Sequence, residues 1–109
     1  MKIISFAWTT QVLLDGVKTV TRRDWVDRYA MTFHKGDIVQ AYDKNPRCGG
    51  KKIAKIRLTK EPYKQWLRYI TDVDEVREGG IWGSGKAYQE AMGKDRELWV
   101  IEFELIKEG

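Results

Sequence analysis

Gly16-Val17-Lys18-Thr19-Val20-Thr21-Arg22-Arg23-Asp24 is the densest run of polar chemistry in this 109-residue chain. Gly16 follows Val12, Leu13 and Leu14, an apolar helical turn that Thr9 or Thr10 can cap. It takes the position after the helix end, where a left-handed backbone favours glycine. Residues 19–23 are β-branched and alternating, which predicts a strand. Side chains alternate across a strand, so the adjacent Arg22 and Arg23 point to opposite faces. At least one therefore faces the interior or a cleft and needs an anionic partner, supplied by Asp24 or by an acid of the second half. A lysine close to a threonine hydroxyl, as Lys18 is, can act as a base once desolvation lowers its pKa. Read structurally, the same run is an internal salt bridge that braces a sheet.

Outward from this run the chain reads as mostly β. Residues 2–6 form a short strand, and residues 24–34 are irregular with a helical turn around 26–29. Lys35-Gly36-Asp37 turns into a strand over 37–43, and Lys44-Asn45-Pro46-Arg47-Cys48-Gly49-Gly50 is a loop by its turn chemistry. Residues 51–59 then return as an antiparallel strand. There Ala54, Ile56 and Leu58 share one face and Lys55, Arg57 and Thr59 the other, so a core face and a basic face lie back to back. Residues 62–70 are apolar and aromatic, a strand or a packed loop. Residues 72–78 are an acid-rich short helix ended by Gly79-Gly80, and Ser84 caps a helix over 86–92 that Gly93 ends. A last strand covers 98–106. The expected fold is α+β, mostly β: a small twisted or closed sheet of five or six strands with two or three short helices. The interrupted order of strands and helices excludes a doubly wound parallel sheet.

The length fits one domain, residues 1–109, and 42% apolar with 33% charged residues fits an ordered globule. Net charge is +4, unevenly spread. Residues 1–60 hold 13 Lys/Arg and 5 Asp/Glu, residues 61–109 hold 7 and 11, and residues 44–60 hold 7 basic side chains and no acid. A polyanionic partner is the first functional thought, against charges that merely solvate a small domain. One cysteine, Cys48, excludes an intrachain disulfide and a cysteine-rich zinc site, and one histidine, His34, excludes a multi-histidine centre. No metal or cofactor is implied. The apolar runs are too short for a membrane helix or a signal peptide, so the expected compartment is the cytoplasm and no membrane partner is expected.

Gly80-Ile81-Trp82-Gly83-Ser84-Gly85-Lys86 has the spacing of a phosphate loop, but Ala87 stands where magnesium binding needs Ser or Thr. The segment before it is acidic, not an apolar strand, and too little chain follows for the sheet the motif belongs to. The same glycines make a mobile loop carrying Trp82, either a hydrophobic plug or a platform on which a base stacks. Asp72, Asp74, Glu75 and Glu78 read as a solvated helix face, with Glu78, at the glycine hinge, the one aimed at a cleft. His34 reads as a surface or capping residue and Cys48 as incidental.

The run 16–22, with Ile4-Ser5-Phe6, Phe33-His34-Lys35-Gly36-Asp37-Ile38-Val39 and Trp99-Val100-Ile101-Glu102-Phe103, resembles the ASCH domain family (activating-signal-cointegrator homology). These are small PUA-like domains associated with RNA, and the resemblance implies a PUA-like β-barrel with a helix-bordered cleft. Some small bacterial ASCH proteins hydrolyse the amide of N4-acetylcytidine. Their K-T-x-T lysine and threonine, proton acceptor and nucleophile, fall on Lys18 and Thr21, and their proton-donating glutamate falls on Glu78. Arg22 or backbone N–H groups would stabilise the oxyanion. Other members are ribonucleases. The implied function is thus an RNA-associated hydrolase, of a modified nucleoside or of RNA, or else a non-catalytic RNA-binding module. Ser5, Trp8, Arg22, Arg23, Lys51, Lys55, Arg57 and Trp82 are the residues expected to meet the nucleoside or RNA.

Overall fold

The structure, a computed structural model, describes residues 2–106. Its strands are β1 (Ile3–Ser5), β2 (Val20–Arg23), β3 (Ile38–Tyr42), β4 (Lys52–Leu58), β5 (Tyr63–Trp66) and β6 (Glu97–Ile106). Its α-helices are α1 (Thr10–Leu14), α2 (Asp27–Ala30), α3 (Asp72–Glu78) and α4 (Gly85–Met92). Four short helices thus stand where two or three were expected, because the helical turn near residue 27 forms a helix of its own.

The strand β6 is the spine of the sheet. Its second half pairs antiparallel with β4, and its first half pairs with β2 and with β5. Thr59 N–H donates to the Glu102 carbonyl and Phe103 N–H to the Thr19 carbonyl, so β4 and β5 follow one edge of β6 and β2 follows the other. β3 pairs antiparallel with β4, as its alternation predicts, and β1 lies parallel to β3, giving the order β1-β3-β4-β6-β2. The expected barrel is not closed: β1 and β2 end the row unpaired with each other. The reason lies at the end of β1. After three residues the chain leaves the sheet through Phe6 and Ala7, and Ala7 takes φ +46°, the one left-handed non-glycine among the described residues. β1 stops before it can reach β2.

The period-two faces build the core. Ile4, Phe6, Leu13, Phe33, Val39, Ala41, Ile56, Leu58, Ile101 and Phe103 form one buried cluster, and Phe6 meets Phe103 edge to face at 5.7 Å. A smaller cluster of Leu67, Ile70, Tyr88 and Leu98 lies under α4. Each such side chain contributes roughly 1.5–3 kcal/mol on full burial. Neither Thr9 nor Thr10 caps α1. Their hydroxyls donate back to the carbonyls of Phe6 and Ala7, both at 2.6 Å. A 3-10 turn, Ala7–Thr9, runs straight into α1, so the backbone already supplies what a cap would. Among the described residues no helix is long and apolar enough to cross a membrane.

Candidate active site

α3 begins with a reciprocal cap. The Thr71 hydroxyl accepts from Asp74 N–H at 3.2 Å, and the Asp74 carboxylate accepts from Thr71 N–H at 3.0 Å. The helix ends at Gly79, whose φ of +129° disfavours other residues and whose added Cβ would stand 2.9 Å from Val12 Cγ2. This close approach sets Glu78 beside the turn that precedes β2. Thr19 N–H donates to the Arg77 carbonyl and Lys18 N–H to the Val12 carbonyl, pinning that turn from both sides. A second tie comes from β6, where Glu102 accepts from Arg77 and, at 2.6 Å, from the Tyr63 hydroxyl. Burial and that carboxylate push the Tyr63 hydroxyl up to about 12.

Held in this way, Glu78 is the hub of a buried ionic cluster. Lys18 Nζ donates to Glu78 Oε1 at 2.8 Å and to the Glu78 carbonyl at 3.0 Å. Arg22 donates to Glu78 Oε2 at 2.7 Å, and its other nitrogens hold the Gln65 side-chain carbonyl at 3.2 and 2.8 Å. The three charged side chains are at most 3% exposed. Asp74 stands 3.9 Å from Arg22, whereas Asp24 pairs with Arg96 at the surface. The anion that Arg22 needs therefore comes from the second half of the chain. Burial holds the Lys18 ammonium below its ordinary value against the pull of Glu78, and the nearby Arg23 and Arg22 push it the same way.

Thr21 faces the same space from β2. Its hydroxyl accepts from Arg23 Nε at 3.1 Å, and a terminal nitrogen of Arg23 donates to the Ser5 carbonyl at 2.5 Å. Arg23 thus spans the seam between β1 and β2 that no backbone ladder closes. Burial holds its guanidinium below the ordinary arginine value. Lys18, Thr21, Arg22, Arg23 and Glu78 together line a cavity of about 200 Å³. No hydrogen bond joins Lys18 to Thr21 among the described residues; the ammonium is turned to Glu78 and the hydroxyl to Arg23. Trp8 and Trp82 stand on the rim, edge to face at 5.3 Å, with Trp8 68% exposed. Trp82 also packs edge-on against Tyr88 at 4.5 Å, so it plugs the smaller core on one side and borders the cavity on the other.

No family model matches the sequence, and no curated protein is similar to it at a significant level. Solved structures are similar in fold. One is a crystal structure from Enterococcus faecalis V583 described by the family model DUF984, and another is an ASCH domain from Lactobacillus crispatus JV V101. The first is 16% identical with a TM-score of 0.67, covering 96% of this chain and 79% of that one. The second is also 16% identical at 0.67, covering 95% and 79%. This chain has the ASCH fold.

Within the ASCH fold the remaining expected residues separate. Ser5 and Trp8 line the cavity with the β2 residues, but Lys51, Lys55 and Arg57 lie outside it. Lys51 is exposed, its N–H held by Asp43 at 2.8 Å. Lys55 is half-buried in a shallow groove with Lys52 and Leu105, and Arg57 pairs with Glu104 at 3.0 Å. The register Ser5–Tyr42–Lys52 sets Lys52 two strands from Ser5, and Lys55 and Arg57 follow further along β4. The acidic helix is not a plain solvated face. Glu75 is buried and accepts from Trp82 N–H at 3.1 Å, and Asp72 accepts from Gly85 N–H at 2.8 Å. These carboxylates occupy the amides that a phosphate loop would offer. His34 sits at the surface 3.5 Å from Glu61, and Cys48 is exposed.

Three site features had little sequence signal. Gln65 shares the inward parity of β5 with Tyr63, and a polar residue at an inward position was its only mark. Tyr88 reads as core. Nothing about an alanine announces the left-handed backbone of Ala7 at the cavity wall, a conformation that costs about 1–2 kcal/mol.

Proposed function

We propose that this cavity takes one nucleoside unit, free or in an RNA strand, and hydrolyses an acyl amide of the N4-acetylcytidine kind. The observation that carries the reading is that Lys18 and Thr21, from one run, and Glu78, some sixty residues on, line one cavity. Its volume of about 200 Å³ falls below the roughly 300–1,000 Å³ of drug-sized sites and suits a single base with its acyl group.

The bond between Lys18 and Glu78 supports a reading in which acid and base work as a pair. Proton transfer along the 2.8 Å bond from Lys18 to Glu78 leaves a neutral amine and a neutral carboxylic acid. The amine takes the Thr21 hydroxyl proton as Oγ1 attacks the acyl carbon. The carbon–nitrogen bond breaks, Glu78 protonates the departing cytosine amine, and the acyl group remains as an ester on Thr21. Water then attacks the ester, Glu78 takes its proton, Lys18 returns one to the Thr21 oxygen, and the acid leaves. Arg22, committed to Glu78 and Gln65, positions the acid instead of meeting the oxyanion.

The test is hydrolysis of N4-acetylcytidine and of short RNA carrying it. Lys18→Ala and Thr21→Ala should each lower kcat at least about a hundredfold in a protein whose circular dichroism is unchanged. Full activity in either variant sinks the mechanism. Because Glu78 takes its acid proton from Lys18, the pair must hold one proton, and kcat should fall as pH rises through the Lys18 titration, a limb centred below 10.5. A second reading, a non-catalytic RNA module, draws on the missing bond between Lys18 and Thr21. Under it the same substitutions change affinity and no substrate turns over.

A further inference from the structure

The cavity holds more positive charge than its carboxylates answer. Lys18 and Arg22 converge on Glu78, and Asp74 reaches only toward Arg22. Arg23 lines the same cavity, yet among the described residues it has no carboxylate within ion-pair distance. The groups in contact with it are neutral, namely the Thr21 hydroxyl, the Ser5 carbonyl and the Phe6 ring, whose centroid lies 5.5 Å from the guanidinium carbon, and Glu78 acts on it only through space. Its second terminal nitrogen bonds no protein atom among the described residues and is not sealed from solvent. A guanidinium stays charged in a protein, and a largely buried charge whose nearest carboxylate is already paired with two other cations is costly. Such a site expects its missing anion to arrive with the ligand.

We propose that the nucleoside unit this cavity takes is a phosphate ester, a nucleotide whose phosphate seats on Arg23. The inference rests on reading the cavity as a nucleoside site. A free acylated nucleoside is neutral and leaves Arg23 unanswered, whereas phosphate oxygens match the planar donors of a guanidinium. The exposed face of Trp8 at the rim offers the base end of the same ligand a stacking surface.

Titrations followed by tryptophan fluorescence would compare cytidine, cytidine 3′-monophosphate, cytidine 5′-monophosphate and inorganic phosphate. At least one monophosphate should bind the wild type about tenfold more tightly than cytidine, and the two arms tell which ester is read. Inorganic phosphate should compete with it. Arg23→Gln should erase the ratio of monophosphate to cytidine affinity, both measured in that variant, while Arg23→Lys, which keeps the charge, should retain part of it. Equal affinities for cytidine and both monophosphates in the wild type overturn the inference. So does a phosphate advantage that survives Arg23→Gln. Phosphate-selective binding without hydrolysis of any acylated cytidine supports the inference and rejects the hydrolase reading. Hydrolysis of neutral N4-acetylcytidine with no gain from phosphate does the reverse.

Discussion

Glu78 answers two cations with one carboxylate, and this makes the site asymmetric to substitution. Glu78→Gln leaves Lys18 and Arg22 buried with only Asp74 in reach, at 3.9 Å from Arg22. Breaking a buried pair in this way costs about 3–5 kcal/mol. Lys18→Met leaves Glu78 paired with Arg22 and should cost clearly less. Urea unfolding of the two variants checks the order, and equal losses would mean that Arg22 does not hold the carboxylate alone. The convergence of Lys18, Thr21 and Glu78 was legible through the resemblance, and strand parity showed that one of the two arginines had to face inward. Which acid would answer it was not legible. Asp24 and an acid of the second half were both open, and it is the packing of Gly79 on Val12, with the bond from Thr19 N–H to the Arg77 carbonyl, that brings Glu78 to Arg22.

The elements that carry the site were read to within a residue or two where local chemistry decides them. α3 spans Asp72–Glu78 between a Thr71 cap and Gly79, and α4 follows the Ser84 cap, because caps and glycine stops act over a single turn. α1 starts where Thr9 was expected to cap it, but the capping bond itself is absent, because the Thr9 and Thr10 hydroxyls donate back to the preceding 3-10 turn. β5 stayed ambiguous because its pairing partner lies more than thirty residues away, in β6. The cap of α3 gives a prediction at this scale. Thr71→Ala removes one of its two reciprocal bonds and should lower stability by about 1 kcal/mol, read as a shift in the thermal midpoint. Gly79→Ala should cost more, since it adds a strained φ to a 2.9 Å approach to Val12 Cγ2. Trimming the neighbour with Val12→Ala relieves the contact and leaves the backbone strain, so the double variant should recover only part of the loss.

At the scale of the whole molecule, sheet closure was beyond the sequence. Alternation shows that a strand has two faces but not whether the first and last strands of a row will meet, which here turns on three residues of β1 and the backbone of Ala7. The uneven charge acquires a place: Lys51 and Lys52 stand at the end of the sheet that the Ser5–Tyr42–Lys52 register joins to β1, and Lys44 and Arg47 lie in the loop before them. If a single strand of RNA crosses that end and makes about four phosphate contacts, log affinity should fall with log salt at a slope of roughly −3. Replacing Lys51 and Lys52 by Gln should flatten that slope by about 1.4, and an unchanged slope would move the RNA path elsewhere. The spine strand has a consequence of another kind. β2 and β5 take all their ladder partners from β6, the last of the described strands, and β4 takes those of one edge, so Val20 waits for Glu102. At ~5–20 residues per second of synthesis, several seconds pass with β2 already outside the ribosome and nothing to pair with. The nascent chain can form the β3–β4 hairpin early, but β2, which carries Thr21, Arg22 and Arg23 of the candidate site, finds its ladder partners only in residues 99–102.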